Sequence, residues 1–138
     1  MAIPPRLFCD TSFFYAALDP ADARHARAQE LFAELAETRA TLTTTWDIVS
    51  ETVTLLRYRL HFAAALGFLS DVRPTLNIVN YGGHVYVEAE RLFRERGRNR
   101  RLSFGDAISF VVVTTLLDHM PCIAFDDDFR ALGLTVIN

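Results

Sequence analysis

Leu7-Phe8-Cys9-Asp10, read beside Cys122-Ile123-Ala124-Phe125-Asp126, decides the fold of this chain. Each stretch is a short apolar run that ends on an acid. A run without polar alternation is the pattern of a strand buried on both faces, as in parallel sheets. Asp10 and Asp126 then stand at the carboxyl ends of strands, the edge where open parallel α/β sheets place their ligand sites.

Two further acids share this odd placement. Asp106 follows Leu102-Ser103-Phe104-Gly105 and opens a long apolar segment, 107–117. Glu51 lies mid-helix, with Ile48 three residues before it and Leu55 four after, so it is expected on the buried face. Singly, each has a structural explanation. Asp10 and Asp126 are placed to N-cap the helices that follow them, and Asp106 stands three residues after Ser103, the spacing of a capping box. Glu51 has a pairing partner in Arg57, or lies on a partly exposed stripe. Capping does not account for Glu51, and a core gathers carboxylates only where something offsets their desolvation. A divalent cation is the usual agent.

The remaining sequence alternates strands and helices. A short helix is expected at 12–18, and Asp19-Pro20 supplies a cap and first-turn proline for a helix running to about Thr38, with Leu31, Phe32 and Leu35 as its apolar stripe. Residues 41–43 read as a strand, and Thr44 or Thr45 caps the helix bearing Glu51, which ends near Arg59. Further helices are expected at 62–71 and 84–96, the latter closed by Gly97, with a strand at 76–79 between them. Residues 108–117 favour a strand in Val111-Val112-Val113 but a buried helix in length and cap, and are taken as helix. A short helix after Asp126 and a strand at 134–137 complete the chain. The expected architecture is a three-layer α/β/α sandwich on a mainly parallel sheet, as one domain spanning 1–138.

Composition narrows the function. Hydrophobic residues are 51% of the 138 and aromatics 12%, which excludes a disordered chain, and such a length buries roughly 70% of its unfolded surface. A net charge of −3 excludes coating of nucleic acid by bulk electrostatics. All fourteen basic residues are arginine, which removes Schiff-base chemistry and the lysine of several phosphotransfer folds. Cys9 and Cys122 lie in expected buried strands without CxxC spacing and read as inert thiols. No signal peptide or run of ~20 apolar residues is visible, so no membrane association and a cytoplasmic location are expected.

Carboxylates at the carboxyl edge of a sheet suit Mg²⁺ or Mn²⁺, hard cations that choose oxygen and keep several waters. A metal-activated water attacks a phosphodiester without help from His or Lys. His25, His61, His84 and His119 show no ligand spacing. Asp128, two residues beyond Asp126, is an auxiliary ligand candidate, and Ser12 a hydroxyl donor to the site or a helix cap. The segment 91–101 holds six arginines and runs into Ser103 and Asp106. Arg94, Arg96, Arg98, Arg100 and Arg101 are therefore candidates to bind RNA phosphates, although such a run also serves as a solvated face or holds an acidic peptide.

With these residues in view, the chain resembles PIN-domain ribonucleases, and among them the VapC-type toxins of bacterial toxin–antitoxin pairs. The resemblance covers nearly the whole chain. It rests on Phe8-Cys9-Asp10-Thr11-Ser12-Phe13, Ile48-Val49-Ser50-Glu51-Thr52, Leu102-Ser103-Phe104-Gly105-Asp106-Ala107 and Ala124-Phe125-Asp126-Asp127-Asp128-Phe129. It implies a metal-dependent endoribonuclease with Asp10, Glu51, Asp106 and Asp126 as catalytic ligands and Asp128 and Ser12 assisting. It also implies a homodimer silenced by a small antitoxin, bound in a groove formed here by the helices from Trp46 to Asp71. Gly105 departs from the family pattern, where a polar residue is frequent. A phosphorelay receiver domain would need a lysine, and a haloacid-dehalogenase phosphatase a second Asp where Ser12 stands. A silent PIN-like scaffold binding RNA or protein, and a processing nuclease without antitoxin, are the other readings.

Overall fold

A computed structural model describes residues 2–98 and 100–138. Five strands, β1 (Arg6–Cys9), β2 (Thr41–Thr44), β3 (Asn77–Ile78), β4 (Cys122–Ile123) and β5 (Val136–Ile137), form one sheet in the order β3-β2-β1-β4-β5. Every neighbouring pair is parallel. The central strand β1 is buried from Leu7 to Cys9 and both residues of β4 are buried, as their unbroken apolar runs require. The strands at 76–79 and 134–137 are shorter than the sequence implies.

Among the described residues seven α-helices connect the strands: α1 (Thr11–Leu18), α2 (His25–Thr38), α3 (Trp46–Leu55), α4 (Phe62–Gly67), α5 (Gly83–Arg96), α6 (Phe104–Thr115) and α7 (Asp128–Ala131). From β1 the chain moves outward to β2 and β3, then returns past β1 to β4 and β5. Right-handed crossovers therefore put α1–α4 on one face and α5–α7 on the other. The packing agrees: α1 lies against α2 and α3, and α6 against α5 and α7. The structure is the expected α/β sandwich.

Several boundaries moved for identifiable reasons. Helix α2 starts at His25 rather than after Pro20. Asp19 Oδ1 accepts from the Ala21 amide and Asp22 Oδ1 from the Arg24 amide, so two side chains occupy backbone donors and hold 19–24 in turns. The helix expected at 62–71 divides into α4 and a π-helical turn, Phe68–Val72, and another π turn, Leu56–Leu60, follows α3. Gly97 closes α5 without a left-handed cap. Its φ is −67°, its amide donates to the Phe93 carbonyl at 2.8 Å, and a β-carbon there would lie 2.5 Å from that oxygen. Residues 108–113 are helical, within α6, and buried apart from half-buried Phe110.

The core joins both faces of the sheet. Phe8, Phe13, Phe14, Phe68 and Phe129 are fully buried, with Phe14 packed edge-on against Phe68 at 5.3 Å and Phe13 stacked on Phe32 at 4.7 Å. These rings tie α1 to α2 and to the turn after α4, and thereby fix the start of α1, where Asp10 sits. Phe14→Ala should cost about 3–5 kcal/mol, read as a lower urea midpoint at unchanged slope. An unchanged midpoint would mean that this ring does not support the fold.

Candidate functional site

The strand order reverses between β1 and β4, and this switch point opens a crevice at the carboxyl edge of the sheet. Asp10 leaves β1 and Asp126 follows β4, and the Asp10 amide donates to the Ile123 carbonyl at 3.1 Å, so the two acids leave paired strands side by side. Asp106 arrives from the opposite direction, in the first turn of α6. One carboxylate oxygen each from Asp10, Asp106 and Asp126 lies within 4.8 Å of the other two. The simple capping explanations also hold for two of them. Asp10 accepts the Ser12 amide as N-cap of α1, and Ser103 and Asp106 form a reciprocal capping box. Two helix N-termini thus point partial positive charge at the cluster. Asp126 Oδ1 instead accepts from the Asp128 amide at 3.2 Å.

Ser12 binds the cluster together. Its Oγ donates to Asp10 Oδ2 at 2.7 Å and accepts from the Phe125 amide at 2.9 Å, which ties α1 to the segment carrying Asp126. Glu51 corrects the sequence reading, because its side chain is exposed instead of buried, and it stands outside the three-acid group. It nevertheless lines the same cleft, where Thr11 Oγ1 donates to its Oε2 at 3.1 Å. Among the described residues no ion pair joins it to Arg57, whose guanidinium lies over the Phe62 ring at 4.7 Å. A β-carbon at Gly105 would make only ordinary contact with Ser103 and Glu51, so nothing steric requires glycine there.

The cleft, of about 620 Å³, is lined by the three clustered acids, Glu51, Asp128 and Ser12, and by Arg24, Arg59 and Arg101. Only Arg101 was foreseen. Arg24 lies over Phe125 and Arg59 over Tyr15, at 5.5 and 5.9 Å from the ring centroids, so both guanidiniums are held at the rim by aromatic faces. Neither belongs to a charge run, and no spacing in the sequence marks them. Thr11 was visible only as a link between two named residues. Arg94 and Arg98 line a different cleft, and Arg100 donates to the Ala131 carbonyl at 3.1 Å. Cys9 and Cys122 are free and buried, and burial pushes both thiols up, Cys122 to about 12.

Crowded acids in a poorly hydrated place resist ionisation. Burial, followed by the Asp126 charge, pushes Asp10 up to about 8. Asp106 is pushed up to about 7 by burial and then by Asp126. Asp126 is raised by burial and by Asp128, against a lowering hydrogen bond from Asp10. None of the three is in an ion pair among the described residues. An all-oxygen donor set that no protein cation pairs with among the described residues fits a hard divalent cation, which would displace the protons.

The fold and the site define a class: this chain belongs to the PIN-domain family, whose model matches residues 7–134. More particularly, it is 33% identical over 134 residues to the 23S rRNA-specific endonuclease VapC20 of Mycobacterium tuberculosis, covering 95% of this chain and 97% of the relative. The crystal structure of Mycobacterium tuberculosis VapC20, described as a sarcin-ricin loop cleaving toxin, aligns with a TM-score of 0.80 at 30% identity, over 94% of this chain and 96% of that one. FitAcB from Neisseria gonorrhoeae shares the fold at a TM-score of 0.66 and 13% identity, over 96% of each chain. So does VapBC2 from Rickettsia felis bound to a DNA fragment from their promoter, at 0.66 and 12%, over 96% of this chain and 98% of that one.

The raised carboxyls carry a stability signature. Asp10 and Asp106 hold protons in the folded state at pH values where the unfolded chain, with an ordinary value of 3.8, has lost them. Their contribution is complete below about pH 4 and is lost as pH rises through 7 to 8. Asp19, lowered first by the Tyr15 hydrogen bond, acts oppositely, in more acid solution. In chelator the melting temperature should therefore fall between pH 5 and pH 8.5, and Asp10→Asn should flatten the decline. A flat wild-type profile would mean that the acids are not desolvated together.

Proposed function

We propose that this protein is a divalent-metal-dependent endoribonuclease of the cytoplasm, the toxin of a toxin–antitoxin pair. The observation that carries the reading is the convergence of Asp10, Asp106 and Asp126 at the switch point of a PIN-domain sheet. A relative named as a ribosomal RNA endonuclease, matched over nearly its full length, supports RNA as the substrate.

Asp10, Asp106 and Asp126 would hold Mg²⁺ or Mn²⁺, with Glu51 and Asp128 facing the same cleft to accept hydrogen bonds from its waters. When bound, such an ion acidifies water and offsets the charge gathering on a phosphodiester in the transition state. Ser12 keeps the Asp10 carboxylate in one orientation and couples it to Asp126 through the Phe125 amide. Thr11 does the same for Glu51. Arg24, Arg59 and Arg101 bind backbone phosphates at the rim, bringing the polyanion to an acidic floor. Hydrolysis adds the oxygen of water to phosphorus and releases a ribose oxygen, and no lysine or histidine is required.

The antitoxin seat is the groove between α3 and α4, where Val53, Tyr58, Phe62, Leu66 and Leu69 line an apolar channel of about 270 Å³. Tyr58 is 82% exposed and Phe62 55%, more than an unpartnered surface normally leaves to water in one strip. An amphipathic segment laid along it would bury these side chains. The homodimer has further apolar surface in exposed Trp46, Tyr86 and Val87, and light scattering should return twice the chain mass.

Wild-type protein should cleave a mixed RNA pool with Mg²⁺ or Mn²⁺ and not with chelator, and Asp10→Asn and Asp106→Asn should each lower the rate by at least about a hundredfold. Metal-dependent RNA binding with no cleavage would instead identify a silent PIN-like module. Leu66→Arg should abolish capture of the product of a short reading frame adjoining the gene while leaving RNA cleavage intact. Undiminished capture would move the antitoxin seat elsewhere.

A further inference from the structure

The cleft beside the carboxylate site has a chemistry of its own. It measures about 520 Å³ and is lined by Glu90, Phe93, Arg94, Gly97, Arg98 and Phe104, from the end of α5, the turn after it and the first residue of α6. Phe93 and Phe104 remain 41% and 39% exposed, and meet edge to face with centroids 5.9 Å apart. Two half-exposed phenyl rings at one opening leave apolar surface to solvent, whereas core aromatics close over each other. Arg94 and Arg98 are exposed and in no ion pair among the described residues.

This cleft continues from the catalytic one along a single stretch of chain. Arg98 and Phe104 line the outer cleft, while Arg101 and Ser103 line the carboxylate cleft, and Asp106 follows two residues after Phe104. Arg101 and Phe104 are three positions apart, so one short segment serves both clefts.

We propose that the cleft between α5 and α6 is a nucleobase subsite. A base of the RNA substrate, turned out of its strand, stacks on Phe104 beside Phe93, and Arg94 and Arg98 hold the phosphates on either side. Unpaired bases are commonly recognised by stacking on aromatic rings, with arginine on the backbone. Glu90 separates this occupant from a bare phosphate or an acidic peptide, because its carboxylate repels either, yet accepts a hydrogen bond from the amino or imino edge of a base. Gly97 lines the same cleft and adds no side chain to it. The subsite rests on the endoribonuclease reading and adds to it a preference for RNA with an unstacked base near the scissile bond.

The test compares wild type, Phe104→Leu and Phe104→Trp on a short random-sequence single-stranded RNA pool with Mn²⁺. Stacking on one ring predicts that Phe104→Leu raises KM about tenfold with little change in kcat, and that Phe104→Trp restores KM. Mn²⁺ uptake by calorimetry should be the same in all three, since Phe104 is not among the clustered acids. In 5-iodouridine-substituted RNA, photocrosslinks to the Asp10→Asn protein should map to Phe93 or Phe104. A wild-type KM in Phe104→Leu, or crosslinks only at other residues, overturns the subsite and leaves the nuclease standing. Absence of metal-dependent cleavage by wild type overturns the nuclease instead, and filter binding of the same pool then decides the subsite through weaker retention by Phe104→Leu. Equal retention of RNA with loss of a protein partner would make the face a protein contact and end the proposal.

Discussion

Three carboxylates forced together where water is scarce constitute the constraint on which the rest of this structure depends. Left alone they repel one another and lose hydration, which is why Asp10 and Asp106 are displaced far above the ordinary carboxyl range. The chain tolerates the arrangement because two helix N-termini and the Ser12 hydroxyl face it, and because a proton or a cation can enter. Remaining stability comes from elsewhere, chiefly from the phenylalanine-rich layers around β1 and α1. The site draws on the core for its rigidity.

The arginines complete this electrostatic design by staying apart from the acids. Arg24 and Arg59 lean on aromatic rings and Arg101 stands at the rim, and among the described residues none forms an ion pair with the cluster. An arginine bound directly to Asp10 or Asp126 would neutralise the charge that attracts a metal. Rim placement leaves the acids for the cation and the guanidiniums for phosphate. Farther out, Arg94 and Arg98 share a cleft with two exposed rings and Glu90, and neither is in an ion pair among the described residues.

Legibility in the sequence followed how local the physics was. The ends of β1 and β4 could be read because a doubly buried strand announces itself as an unbroken apolar run, and the Ser103–Asp106 box because capping is a contact between near neighbours. The late start of α2 was hidden by Asp19 and Asp22, which compete for backbone amides in a manner that no apolar periodicity records. Glu51 was misplaced for a different reason. Its spacing from Ile48 and Leu55 marks a helix face, but whether that face meets core or cleft depends on where α1 lies, and Thr11 is what receives it. The run of arginines was visible as composition, yet Arg94 and Arg98 line one cleft, Arg101 another, Arg100 reaches a backbone carbonyl, Arg91 pairs with Glu88 and Arg96 is exposed outside both clefts, according to the path of the chain between α5 and α6.

The sequence by itself determined the alternation of strands and helices, the parallel sheet, and the four acids worth following, because apolar periodicity and capping are written within a few residues of each other. Tertiary structure alone decided that three of those acids share one pocket while the fourth borders it, and that Arg24 and Arg59 reach the same cleft. It also paired Phe93 with Phe104 at the mouth of a second cleft. The physical reason is that a reversal of strand order joins segments more than a hundred residues apart, such as Ser12 and Phe125, and no local pattern encodes that distance.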